Sequence, residues 1–270
     1  MYIAIYACAA ISVALLLGII VYVFAKGIRS VNWEFLTSVT SVLKGTTGIA
    51  GNILNTLYII VLTMLMATPV GVGAAVYLNE YAKPGKLVSL IEFATETLAG
   101  IPSIIFGLFG KLFFGETLGF SFSILTGAFT MALMVLPLVT RNTQEALKTV
   151  PDSYRTGAIG LGAGKWHMIC TILLPSAMPG ILSGIILAVG RIVGETAALI
   201  YTAGTVADFA PNLMASGRTL AVHMYSLSRE GLHTNEAYAT GVVLLVIVLL
   251  INGVSTLIAR KFTKGDGEVK

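Results

Sequence analysis

Charge is scarce in this sequence. Only 11% of its 270 residues are Asp, Glu, Lys or Arg, where soluble domains carry about a quarter. That shortage excludes a water-soluble enzyme. With 56% hydrophobic residues and a mean hydropathy of +0.88, the chain reads as a polytopic membrane protein. Cysteine and histidine are also rare. Cys8 and Cys170 have no CxxC partner, and the three histidines include no pair at metal spacing, so neither a disulfide framework nor a metal site is expected. No Ser–His or Cys–His set suggests a nucleophile, and no catalytic residue is assigned. The net charge of +4 does not mark a nucleic-acid face, because the basic residues sit in short loops between apolar runs.

What is present in quantity is apolar sequence. A spanning helix needs about 20 mostly apolar residues. Six stretches meet that length: 3–24, 53–78, 87–109, 122–140, 176–201 and 239–259. The second to fifth each contain proline, which membrane helices tolerate where neighbours satisfy the freed backbone groups. The first has no basic leader and no small-residue cleavage site, so Ile3–Phe24 is expected to be a retained span. The fold class is therefore all-α, a membrane bundle of about six helices. It divides into 1–50 (first helix and external loop), 51–262 (main domain) and 263–270 (tail).

Loop charges orient the bundle. Lys83, Lys86, Arg141, Lys148, Arg155, Lys165, Arg260, Lys261, Lys264 and Lys270 fall on one side. Lys26, Arg29, Lys44, Lys111, Arg218 and Arg229 fall on the other, over longer loops. The positive-inside rule puts the 141–175 loop and both termini in the cytoplasm. The outer loop 25–52 is a surface connection or a short amphipathic helix. The outer segment 202–238 is expected to hold a surface-lying helix around T-L-A-V-H-M-Y-S-L, with His223 and His233 as solvated or capping residues.

Two features interrupt the scaffold. The first is P-D-S-Y-R-T-G-A-I-G-L-G-A-G-K-W-H, starting at Pro151. Asp152 or Ser153 is placed to cap a short helix and Gly162 and Gly164 to stop it. Tyr154, Ala158 and Leu161 would lie along one side, with Arg155 and Lys165 beside them, as an apolar and basic knob. Gly164-Lys165 is no P-loop: Ile159 stands at the first glycine position and Trp166 at the Mg²⁺-binding hydroxyl. The chain is not expected to bind ATP, and His167 reads as an interfacial residue.

The second is the intramembrane pair Arg191 and Glu195, flanked by Gly190 and Gly194. Spacing i, i+4 predicts one helical face. Two readings stand: a mutually neutralising pair that locks packing, or an anion contact made by Arg191 with Glu195 orienting it. A guanidinium fork suits tetrahedral oxyanions. Glu92 and Glu96 share a face near the cytoplasmic end and are expected to pair with loop cations. Gly71 and Gly73 are expected at a helix contact, and Pro102 is expected to break or kink the third span.

The loop carries a resemblance. The pattern G-x9-I-x-L-P, met by Gly162, Ile172, Leu174 and Pro175, resembles the coupling loop of ABC-importer permeases. That loop opens Glu-Ala-Ala, where this chain has Thr156-Gly157-Ala158. A-A-V-Y-L-N-E-Y (74–81), G-I-P-S-I-I-F-G-L-F-G (100–110), V-L-P-L-V-T-R-N-T-Q-E-A-L-K (135–148) and G-R-I-V-G-E-T-A-A-L-I (190–200) resemble the PstA-type permease of phosphate importers. The resemblance implies a type I importer (MetI-like) fold and a multi-pass protein of a bacterial or archaeal inner membrane. It implies a PstC-type second permease, a PstB-type ATPase dimer carrying ATP and Mg, and an external phosphate-binding protein. Tyr154, Arg155, Thr156, Gly157, Ala158, Leu161, Gly162, Ala163 and Lys165 would form the ATPase-coupling loop, with Arg191 and Glu195 on the path of inorganic phosphate. No cofactor is expected on this chain itself, and its non-protein surroundings would be the lipid bilayer. The competing expectations are a permease for another oxyanion, such as sulfate or molybdate, and an intramembrane enzyme using Glu92/Glu96 or Arg191/Glu195.

Overall fold

The computed structural model describes residues 2–41, 46–231 and 233–265. Lys44, Lys270 and most of the expected 263–270 tail lie outside the described residues, as do the side chains of Arg260, Lys261 and Lys264. Helix α1 (Tyr2–Gly27) leads through a 3-10 turn into the short α2 (Trp33–Thr37) and an antiparallel hairpin, β1 (Val39–Ser41) and β2 (Thr46–Ile49). The long α3 (Ala50–Val76) follows and continues through a wider π-type turn at Tyr77–Tyr81. Then come α4 (Lys86–Gly100), α5 (Ser103–Gly110), α6 (Ile124–Lys148), α7 (Asp152–Gly160), α8 (Lys165–Met168) and α9 (Leu174–Gly194). The chain closes with α10 (Ala197–Thr202), α11 (Leu220–Glu230) and α12 (Thr234–Gly265).

Among the described residues, five helical stretches are long and apolar enough to cross a membrane. The expected third crossing is instead a broken pair, Lys86–Gly100 and Ser103–Thr117, bent by 102°. Pro102 explains the break. It lacks an N–H and holds Ile101 extended (φ −72°, ψ 131°), so α4 ends there and Pro102 stands before the first turn of α5. The expected 176–201 crossing is also displaced. The continuous helical stretch runs from Lys165 to Gly194, and Glu195 is extended (φ −75°, ψ 129°) before α10 starts.

The core forms where α3, α6 and α9 pack. Ile59, Met131, Val135, Ala188 and Ile192 are buried in it. Gly71 permits the α3–α6 approach, since a Cβ there would lie 2.8 Å from Val139; Gly73 faces open space and makes no such contact. Helix α1 is exposed over most of its length and packs mainly on α12 near its C-terminal end, where Gly27 is buried and Tyr22 lies edge-on to Tyr238 at 5.9 Å. Such uncovered apolar surface suits lipid contact.

Near the hairpin, polar side chains of α3 clamp the segment before α11. Asn55 Nδ2 donates to the Asp208 carbonyl at 3.0 Å, and its Oδ1 accepts from the Ala210 N–H at 3.1 Å. Thr56 Oγ1 accepts from the Leu220 N–H at 3.0 Å. The helix expected in the outer segment is α11, and it is two-faced: Leu220, Val222, His223 and Leu227 are buried, whereas Tyr225, Ser228, Arg229 and Glu230 are exposed. Arg218, counted above as a loop charge, is buried as well. His223 is neither solvated nor capping, whereas His233 is half-exposed 3.9 Å from Glu236.

Burial, helped by the neighbouring Arg218 charge, pushes His223 down to about 3 from the usual 6.5. Below pH 6.5 the unfolded chain then takes up a proton that the folded chain refuses. Stability should fall as pH drops from 6.5 toward 3, by up to about 1.4 kcal/mol per unit. Thermal unfolding in detergent between pH 7 and 4.5 measures this slope, and His223→Gln should flatten it.

Candidate functional site

Two regions bear the candidate residues. The first is a cleft between α4, α6 and α9 of about 110 Å³, lined by Thr95, Glu96, Ala99, Met134, Pro137, Leu138, Arg141 and Arg191. It adjoins a larger opening of about 230 Å³ that shares Thr95, Glu96 and Arg141 and adds Glu92, Glu145 and Lys148. Glu92 and Glu96 thus face the same space, one helical turn apart. Arg141 Nη1 lies 3.9 Å from Glu96 Oε1, and its Nε lies 3.4 Å from Glu145 Oε1. All three side chains are well exposed, so these pairs hold weakly.

Arg191 is in the last turn of α9 and exposed to the cleft. Among the described residues no carboxylate lies within ion-pair distance of it. The one-face pairing expected with Glu195 is absent because the helix stops between them. Glu195 Oε1 instead accepts the Ala198 N–H at 3.0 Å, capping α10. Gly190 and Gly194 face open space and leave the guanidinium uncrowded.

The second region is α7 with the turn that follows. It begins after Pro151 without a side-chain cap. Asp152 Oδ1 instead accepts from Arg155 Nη1 at 3.0 Å. The helix ends where Gly162 takes φ +81°, with the Ala163 N–H donating to the Ala158 carbonyl at 3.0 Å. Ala158 turns inward against Leu147, Val150 and Met168, so it does not share an outer face with Tyr154 and Leu161. The exposed apolar surface comes from Tyr154, Ile159, Trp166 and Leu161, the last 91% exposed. Thr156, Gly157 and Gly162 are exposed and Ala163 is half-buried.

The basic residues of the knob are committed internally. Arg155 Nη2 lies 2.9 Å from Glu80 Oε1, and this contact raises the guanidinium above its usual value. Lys165 Nζ lies 4.7 Å from the centre of the Tyr81 ring. Sequence reasoning gave Glu80 no role. Its signal was weak: a lone acidic residue at the end of an apolar run, 75 positions from its partner. Among the described residues no group of His, Cys, Asp or Glu could hold a metal ion.

Residues 67–264 match the family described as the binding-protein-dependent transport system inner membrane component. The chain belongs to that family. It is a multi-pass permease component of ABC importers. It is similar to the "Probable ABC transporter permease protein YqgI" of Bacillus subtilis, at 35% identity over 95% of this chain and 94% of that protein. It is also similar to the "Phosphate transport system permease protein PstA" of Xylella fastidiosa, at 33% identity over 87% and 83%. Among solved structures, a chain of a bacterial alginate ABC transporter superposes with TM-score 0.73 at 18% identity, covering 97% of this chain and 95% of that one. A chain of the MetNI methionine ABC transporter superposes at 0.62 and 19%, covering 80% and 94%. The shared architecture is the type I importer permease fold.

The capping assignment is testable in the permease. Glu195→Ala should lower stability in detergent by about 1 kcal/mol, whereas Glu195→Gln, which keeps an acceptor oxygen, should lose much less.

Proposed function

We propose that this permease forms half of the translocation pathway of an ATP-driven phosphate importer. The observation that carries the reading is the Arg191 guanidinium, which has no ion-pair partner among the described residues and lines the cleft between α4, α6 and α9. An ionisable group within a membrane bundle points to a substrate path. A fork of parallel donors matches a tetrahedral oxyanion. Similarity to permeases named for phosphate transport supports phosphate among such anions.

On this reading a PstC-type permease completes the pathway and an external binding protein delivers phosphate. Two PstB-type ATPase subunits bind ATP and Mg²⁺, and one of them seats the Tyr154–Lys165 segment in a cleft. On the same reading α7 and both termini lie in the cytoplasm of a bacterial or archaeal cell, with the chain in its inner membrane; the density of basic residues in those loops supports this orientation. ATP-driven closure of the ATPase pair moves the helices as rigid bodies and alternates access to the cleft. Arg191 offsets part of the anion's desolvation without holding it tightly, because a conducting site must also release. With Glu195 occupied in capping, Glu96 is the carboxylate that shares the cleft with Arg191. It accepts the hydrogen bond of a protonated phosphate oxygen, which sulfate cannot offer at neutral pH.

Uptake into vesicles carrying the permeases, the ATPase and the binding protein tests this. ATP-dependent uptake of labelled phosphate should persist in a large excess of sulfate or molybdate. Equal competition by either would reassign the substrate to that oxyanion. In the same complex, Leu161→Glu should release the ATPase subunit on purification, since it puts a charge on the most exposed apolar residue of the knob. Full retention would remove α7 from the ATPase contact.

A further inference from the structure

Arg155 was expected beside the apolar side of the knob, as one of its basic residues. A guanidinium has five N–H donors, and in this fold all five are used inside the chain. Nε and Nη2 both donate to Glu80 Oε1, at 3.3 and 2.9 Å. Nη2 also reaches the Leu147 carbonyl at 3.0 Å. Nη1 donates to the Val150 carbonyl and to Asp152 Oδ1, each at 3.0 Å. No donor remains for a partner. The Glu80 side chain is only 5% exposed and that of Arg155 19%, so water screens this pair less than the other ion pairs described above.

These bonds connect three elements. Glu80 lies in the π-type turn that continues α3. Leu147 and Val150 stand at and just beyond the end of α6, where the Leu147 carbonyl already accepts the Val150 N–H at 3.3 Å and takes Arg155 as a second donor. Arg155 and Asp152 belong to α7. The cation–π contact of Lys165 with Tyr81 joins the far side of the α7 turn to the same stretch of chain. Behind them, Ala158 packs on Leu147, Val150, Met168 and Ile169. Helix α7 is therefore fastened by charge-assisted hydrogen bonds to the ends of α3 and α6, two of the helices that build the core.

We propose that Arg155 and Glu80 form the joint that makes α7, α3 and α6 one rigid body, and that this joint stays closed through the transport cycle. The pair positions; it touches neither substrate nor ATPase. The inference rests on α7 being the ATPase contact, and it assigns how a push on α7 reaches the helices that line the cleft. Lysine could not replace Arg155, because three donors on a point charge cannot serve Glu80 and three other acceptors at once.

The test uses the assembled importer in vesicles, with ATP hydrolysis and phosphate uptake measured on the same preparation. Arg155→Ala should keep the ATPase bound and hydrolysing, yet raise the ATP used per anion about tenfold, the scale of losing a charged hydrogen bond. Arg155→Lys should fall between it and the parent. Should Arg155→Ala not fold in the membrane, Glu80→Gln makes the same comparison. An unchanged ratio in the variant that folds overturns the joint. So does loss of the ATPase from that variant, because it would make the pair a docking contact.

The second arm links the two positions directly. With Cys8 and Cys170 replaced by alanine, the pair Glu80→Cys and Arg155→Cys should be uncoupled, and a short bifunctional thiol reagent bridging them should restore uptake. Bridging without recovery overturns the proposal, because a joint that must open cannot be locked. Failure of the underlying reading shows separately, as an ATPase subunit that stays bound to the Leu161→Glu complex.

Discussion

An arginine in a membrane protein cannot lose its charge, so its donors must meet acceptors within the fold or wait for them in a water-accessible cleft. This chain contains both solutions. Arg155 has every donor filled by the ends of α3 and α6 and by its own helix. Arg191 has no ion-pair partner among the described residues and faces a cleft. The same chemistry makes one residue a mechanical fastening and the other a candidate contact for an anion. The remaining architecture keeps these two environments apart: a packed, nearly dry joint at one end of α3, and an open wall between α4, α6 and α9.

The breaks in the helices serve that separation. Pro102 ends α4 and swings α5 away by 102°. Helix α5 then packs on α10, where Gly107 approaches Ala198 so closely that a Cβ would lie 2.8 Å from the Ala198 Cα. The stop after Gly194 frees Arg191 from Glu195, and Glu195 repays the broken backbone by capping α10. A continuous helix through this point would have produced a neutral i, i+4 pair and a cleft without a free cation.

Local chemistry was legible in the sequence. Span lengths follow from apolar run length, and the kink at Pro102 and the stop at Gly162 follow from residues whose backbone preferences dominate their neighbours. The placement of the knob between α6 and α9 was also readable, because one segment holds both the loop signal and the following apolar run. Features that depend on partners distant in sequence were not readable. Glu80 and Arg155 are 75 positions apart, and Asn55 meets Asp208 across 153. Periodicity also assumed that an apolar run is one helix, which wrongly placed Arg191 and Glu195 on one face. The burial of His223 was hidden for a related reason. A polar residue in an amphipathic stretch reads as surface until a second helix is known to cover it.

The central claim is that Arg191 contacts the transported anion, and substitution at that position tests it most directly. ATP-dependent phosphate uptake would be measured for Arg191→Ala and Arg191→Lys in vesicles that contain every subunit. The account predicts that alanine abolishes uptake, while lysine, which keeps the charge and loses the fork, retains a fraction of it. ATPase binding and hydrolysis should persist in both. Undiminished uptake by Arg191→Ala in an assembled complex would contradict the account and leave the cleft without its anion contact.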